Sequence, residues 1–289
     1  MGARRTLAAV AILTVAGGAA VYGSYVFSER AGPSHATGRC TASLDGATST
    51  LTAEQAGNAA LIAAASQRLG LPARGATIGI ATAMQESSLV NIDHGDRDSI
   101  GLFQQRPSQG WGSVDEIMDP HYSADTFYEA LIEVDGWQDM EVTVAAQTVQ
   151  RSAFPDAYAT REAAARLWAS ALRGYSGAVA VACDVDAGEG TTAAALITRL
   201  DADFGEGAYE VRRLAVTEDE IWLDVMPTGD DAASRDGVAA WLVAVAGAES
   251  IEAVVNGASG WERGVGATPV EPPADAVGVA VRLMRTPTA

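Results

Sequence analysis

Leu7 to Phe27 is an uncharged run of 21 residues, about 31 Å long as a helix and so able to cross the hydrocarbon core of a bilayer. Arg4 and Arg5 stand just before it, and the positive-inside bias then keeps the N-terminus cytoplasmic and exports everything that follows. The small residues Ala16-Gly17-Gly18-Ala19-Ala20 also suit a cleaved signal peptide. The run continues through Val21, Tyr22, Tyr25, Val26 and Phe27, long for a signal h-region and with aromatics where an interface belt would lie. The expectation is a single-pass protein of the cell membrane, with residues 1–27 as cytoplasmic tip and transmembrane anchor. Secretion after signal cleavage is the alternative. Both export the chain, and a single span cannot form a transport path unless it oligomerises.

Only two cysteines occur, Cys40 and Cys183. In an oxidising compartment two cysteines tend to pair, and the termini of a domain commonly lie close together, so a disulfide joining them is expected; two unrelated free thiols are the other possibility. The domain boundaries follow: a linker over 28–40, a domain over 41–183, an acidic connector over 184–190 and a second domain over 191–289. The chain has no lysine and a net charge of -18, and acids outnumber arginines 17 to 8 over residues 41–182 and 19 to 7 over 183–289. With no basic segment after residue 30, nucleic acid is excluded as a partner and an anionic membrane surface would not hold the exported part. At 48% hydrophobic and 19% charged residues the chain can bury cores, which excludes wholesale disorder.

Residues 41–182 read as helices. Thr52 with Gln55 is a capping-box signature, the Ala-rich run after it places Leu61, Ala65 and Leu69 on one face, and Gly70 with Pro72 ends it. Thr77 to Ser87 is apolar or small around its whole circumference, which predicts a buried central helix ending in Gln85-Glu86-Ser87. Further helices are predicted over 123–134, 143–151 and 155–173, and loop or short hairpin over 89–112.

Glu86 is the leading candidate for chemistry. A carboxyl at the C-terminal end of a buried helix faces the negative end of the dipole and a poorly solvated neighbourhood, and both raise its pKa. A carboxyl so tuned is a general acid at neutral pH, which glycosidic cleavage requires. A glutamate at a helix end is otherwise ordinary solvated surface, so its neighbours decide the matter.

Gln85-Glu86-Ser87-Ser88-Leu89, then Gly95-Asp96-Arg97 and Gly101-Leu102-Phe103-Gln104, resembles the lysozyme-like superfamily of lytic transglycosylases and goose-type lysozymes. Those proteins carry Glu-Ser at the end of the central helix and a Gly-Leu-Met-Gln hairpin soon after it. The resemblance covers roughly residues 52–175. It implies that Glu86 is the catalytic acid, that Ser87 supports it, that Gln104 lines the sugar cleft and that Asp96 positions water. The second acid that goose-type enzymes place after the hairpin falls near Arg106. Transglycosylases also carry an Ala-Tyr-Asn-Ala-Gly-like stretch whose Tyr reaches the acid, and the corresponding Ala145-Ala146-Gln147-Thr148-Val149-Gln150 has no Tyr. Gln147 offers a hydrogen bond there, and Tyr158 a hydroxyl that can reach inward.

Trp111 can stack on a sugar ring or pack its own loop. Asp93, Asp96 and Asp98 lack the spacing of a calcium loop, and His35, His94 and His121 form no metal spacing. No metal and no cofactor is expected.

Residues 191–289 switch to mixed patterning: helices near 192–204 and 236–248, with strands near 209–216, 221–225, 251–255 and 277–283, an antiparallel α+β layout with Trp222 and Trp241 in its core. Leu223-Asp224-Val225-Met226, Ala240-Trp241-Leu242-Val243-Ala244, Gly260-Trp261 and Asp275-Ala276-Val277-Gly278-Val279 resemble the Hedgehog-like zinc DD-peptidases. Where active relatives hold histidine ligands this chain has Thr217, Ala276 and Gly278, which implies a degenerate module without Zn²⁺. Asp224 and Asp275 are its candidate pocket residues, or else solvated acids at strand ends.

The fold class expected is therefore a mainly α lysozyme-like domain plus a small α+β domain behind an N-terminal transmembrane helix. The Lys-free, Ala- and Arg-rich chain resembles membrane-anchored wall proteins of GC-rich actinobacteria. The partners implied are peptidoglycan glycan strands and the membrane through residues 7–27. The activity implied is cleavage of the MurNAc–GlcNAc β-1,4 bond by transglycosylation or hydrolysis; the alternative is a non-catalytic peptidoglycan-binding or scaffold protein.

Overall fold

A short run of alternating small and β-branched residues opens the structure. In the computed structural model, which describes residues 37–152, 156–186, 191–216, 220–229 and 232–284, strands β1 (Gly38–Leu44) and β2 (Ala47–Thr52) form a hairpin. Its two-residue loop is Asp45-Gly46, both at positive φ (50° and 82°), the type I′ geometry whose twist matches that of the strands. Thr52 then caps α1 (Ala53–Arg68): its hydroxyl accepts from the Gln55 N–H at 3.2 Å while Gln55 Oε1 accepts from the Thr52 N–H at 2.9 Å. Helix α2 (Ala73–Glu86) is buried along nearly its whole length.

After a long loop come α3 (Val114–Met118), α4 (Pro120–Ile132), α5 (Val142–Gln150) and, behind a 3₁₀ turn at Ala157–Arg161, α6 (Glu162–Leu172). Helices α4, α5 and α6 pack on α2 while α3 packs on α4, and Tyr128 of α4 donates to the Ile62 carbonyl of α1 at 3.0 Å. Strand β3 (Val181–Val185) returns to the free side of β1, giving an antiparallel sheet in the order β2-β1-β3. In that register Cys40 stands opposite Cys183, and the two form a disulfide.

The remaining elements are α7 (Ala193–Phe204), β4 (Tyr209–Val216), β5 (Glu220–Pro227), α8 (Ala232–Ala244), α9 (Ala246–Glu249), β6 (Ile251–Asn256), β7 (Ser259–Glu262), β8 (Gly266–Ala267) and β9 (Val279–Met284). They form a six-stranded antiparallel sheet, order β4-β5-β9-β6-β7-β8. Leu223, Val225, Val254, Val281 and Leu283 point to α8, in one apolar cluster continuous with α1, α2 and α6. Trp222, Ala253, Val255 and Ala280 occupy the other face, and the Arg282 guanidinium lies 5.6 Å from the centre of the Trp222 ring. A buried carboxylate ties α7 to its neighbours: Asp203 accepts from Trp241 Nε1 and Arg199 Nε and sits against His121 Nε2, each at 2.8 Å. Burial opposes its charge, but the hydrogen bond to His121 and the charge of Arg199 prevail and hold the carboxyl below the usual range.

The expected fold class is corrected by these sheets. Of the described residues 45% are helical and 22% strand, with a three-stranded and a six-stranded antiparallel sheet, so the fold is not mainly α. Strands β1 and β2 are built from Thr, Ser and Ala, which carry little apolar alternation, so they read as linker and helix approach; Gly38 to Cys40, placed in the 28–40 linker, are already strand. Likewise Asp184 and Val185, placed in the connector over 184–190, belong to β3. The expected anchor over 7–27, together with Thr217, lies outside the described residues, and among those described no helix is long and apolar enough to cross a membrane.

Asp224 is not solvated. Its side chain is fully buried and accepts from the Val277 N–H at 3.1 Å, the Gly278 N–H at 2.8 Å and Arg212 Nη2 at 3.1 Å. It pins the chain entering β9, a packing role in which both carboxylate oxygens are engaged. Asp275 is exposed, 3.7 Å from Arg212.

Candidate active site

Helix α2 delivers Glu86 because its run of small and apolar residues from Gly75 to Met84 can be surrounded on all sides, leaving Gln85 and Glu86 at its end. Beyond it the chain reverses through Ser88 and Leu89, both left-handed (φ 57° and 60°), and their carbonyls are taken by Gln55 Nε2 and Asn58 Nδ2, each at 2.8 Å. Ser87 is buried beneath this reversal. Its hydroxyl donates to the Leu102 carbonyl at 2.7 Å and lies 3.1 Å from that of Ala83. It therefore locks the helix end to the hairpin and does not line the cleft.

The hairpin closes by pairing Ile100 with Gln105. Gln104, in the left-handed region at φ 50°, places Nε2 at 3.3 Å from the carbonyls of His94 and Gly101. Its amide lies over Gly95, where a Cβ would come within 1.9 Å of Gln104 Oε1 and 2.6 Å of the Ser99 carbonyl. Gly95→Ala is expected to push Gln104 out of place and loosen the hairpin, as a fall in the thermal unfolding midpoint and a shift of the Gln104 side-chain amide resonance will check.

Glu86, Asp96, Gln104 and Trp111 share a cavity of about 1240 Å³ with Gln150 and Arg151. Asp96 stands at its rim with a side chain 90% exposed. Trp111 is half-buried, its carbonyl accepting from Tyr122 Oη at 3.2 Å. Arg106, just after the hairpin, donates to Asp98 Oδ1 at 2.9 Å while the Ser108 N–H donates to Oδ2 at 2.8 Å. The hydrogen bonds from Ser108 and Arg106 hold the Asp98 carboxyl far below the usual range. That pair braces the loop.

Tyr158, from the 3₁₀ turn before α6, donates its hydroxyl to Glu86 Oε1. Burial, reinforced by the adjacent carboxylate, pushes the phenol well above its ordinary value, so it remains a donor. Burial likewise raises the Glu86 carboxyl, tempered by hydrogen bonds from Tyr158 and Gln150. Gln147 is elsewhere: its Nε2 donates to the Ser152 carbonyl at 2.7 Å and closes the turn after α5. The glutamine of α5 that lines the cavity with Glu86 is Gln150, whose Nε2 donates to the Phe103 carbonyl at 2.7 Å. Its signal in the sequence was its place three residues after Gln147, on the same helix face.

No protein-family description matches this sequence, and no curated protein is significantly similar to it. The disulfide is compatible with an extracytoplasmic or secreted protein.

Proposed function

We propose that this chain cleaves peptidoglycan glycan strands at the MurNAc–GlcNAc β-1,4 bond, with Glu86 as general acid. The observation that carries this reading is the setting of Glu86: a carboxyl raised by burial, opening into a large cavity and held by a tyrosine hydroxyl that stays protonated. Glu86 gives its proton to the glycosidic oxygen as the bond to the muramyl anomeric carbon breaks. The resulting carboxylate is stabilised by the Tyr158 O–H. It then accepts a proton from the muramyl 6-hydroxyl, whose oxygen closes a 1,6-anhydro ring, or from a water attacking the same carbon.

Asp96 is exposed at the rim, 3.9 Å from Arg97, which suits it poorly to holding that water and favours the intramolecular route. In this reading the chain works outside the cytoplasm, anchored through residues 7–27. Mass spectrometry of the soluble fragments from digested peptidoglycan tests it: anhydro-muramyl ends are expected, reducing ends would select hydrolysis, and no fragments at all would select the non-catalytic scaffold.

Tyr158→Phe removes one donor to the Glu86 carboxylate. The rate is expected to fall about tenfold, the value of one charge-assisted hydrogen bond. Because loss of the donor raises the Glu86 pKa further, the acid form persists to higher pH and the alkaline limb of the pH–rate profile moves up. An unmoved limb would separate the hydroxyl from the acid.

A further inference from the structure

The end of α2 opposite Glu86 borders a second, smaller cavity of about 320 Å³. Leu44 at the end of β1, Arg74 and Thr77 of α2, Arg166 and Ser170 of α6, and Tyr175 just after α6 line it. Arg74 is the member that needs explaining. Its Nε–H is buried and meets no acceptor among the described residues. No acid stands in the first turn of α2, and the partial positive charge at a helix N-terminus disfavours a cation there. The chain as a whole carries a net charge of -18, so acids are plentiful elsewhere. A buried donor left without a partner costs free energy until an acceptor from outside meets it.

The other walls of the cavity fit an organic carboxylate. Arg166 is oriented by Glu162, which accepts from its Nε at 2.8 Å. The Ser170 hydroxyl accepts from Ser176 Oγ at 2.8 Å, and its own proton is then available to donate. Tyr175 is 63% exposed, yet its backbone is fixed. Gly174 ends α6 in the left-handed region (φ 76°), its N–H donating to the Ala171 carbonyl at 3.1 Å and the Tyr175 N–H to the Ser170 carbonyl at 2.8 Å. Tyr175 and Leu44 supply apolar surface beside these donors.

We propose that this cavity binds the terminal carboxylate of a short peptide with small apolar side chains. The Nε–H and an Nη–H on one edge of the Arg74 guanidinium form a planar fork that a carboxylate matches with two hydrogen bonds. Ser170 donates a third, Arg166 adds charge, and Leu44 and Tyr175 cover the apolar part of the ligand. The volume lies at the lower end of the range of small-ligand sites, roughly 300–1,000 Å³. A tetrahedral phosphate would use the charge and leave the apolar wall bare. Arg74 and Glu86 are separated by roughly 18 Å along α2, at 1.5 Å per residue, so this site does not depend on the reading of Glu86.

Heteronuclear NMR of the full chain, with N-acetyl-alanyl-alanine as the probe, tests the site at the Arg74 Nε–H. The free acid is expected to shift that resonance and the Tyr175 ring protons saturably. The C-terminal amide of the same peptide is expected to bind at least about tenfold more weakly, the equivalent of one hydrogen bond to a charged group. Arg74→Gln should bring the acid down to the level of the amide. Should that variant fail to fold, Tyr175→Ala, at an exposed position, is expected to weaken both peptides several-fold. Equal binding of acid and amide, or an Arg74 resonance that neither peptide moves, overturns the proposal. Inorganic phosphate that displaces the peptide at equal concentration also overturns it, because that marks an anion site with no preference for a peptide.

Discussion

Glu86→Gln is expected to reduce release of soluble muropeptides by about 10²- to 10⁴-fold, the contribution of a positioned general acid, with the fold intact. The amide keeps the shape of the carboxyl, and its oxygen still accepts from Tyr158. It removes the transferable proton. The sign of the stability effect is also set. The folded pKa of Glu86 is raised by burial, so the native state binds this proton more tightly than the unfolded chain does. Its stabilising effect is present at low pH and is lost as pH rises through the raised value. The glutamine variant lacks this dependence, so above that range it should be no less stable than the parent. Chromatography of released fragments, with thermal unfolding at two pH values, checks both statements. Equal release by parent and variant would sink the assignment of Glu86.

Removing the disulfide should produce the largest loss of stability. Cys40 and Cys183 are 143 residues apart in sequence, and closing a loop of that length stabilises the fold by up to about 5 kcal/mol in the chain-entropy model. The bond links the central strand β1 to β3 at a buried cross-strand pair. The paired substitution Cys40→Ala with Cys183→Ala is therefore expected to lower the denaturation midpoint sharply, and reduction of the parent should do the same. Denaturant titrations that superimpose with and without reductant would refute this.

The local devices were legible in the sequence because each is closed within a few residues. Thr52 and Gln55 form their capping box across one helical turn, and the apolar circumference of α2 marks both its burial and the place of Glu86 at its end. Asp45-Gly46 is an equally local hairpin signal, but the strands it joins carry too little apolar alternation to be legible as strands. In the second region the alternation of Ile221 to Val225 and Ile251 to Val255 placed strands near where β5 and β6 lie, because one face of each packs on α8.

What only the tertiary structure decided lies between residues far apart in the chain. The pairing of β1 with β3 spans more than a hundred residues and depends on α6 returning the chain to the sheet edge. Asp224 looked like a solvated strand-end acid until the fold brought the Val277 and Gly278 amides to it. The donor on Glu86 comes from position 158, and the choice between Gln147 and Gln150 for the cavity wall depends on how α5 is rotated against α2. A sequence period specifies which face of a helix is buried. It does not specify which polar side chain on the rim of that face meets a particular carboxyl, since that is set by packing angles and by where the neighbouring hairpin places a single carbonyl oxygen.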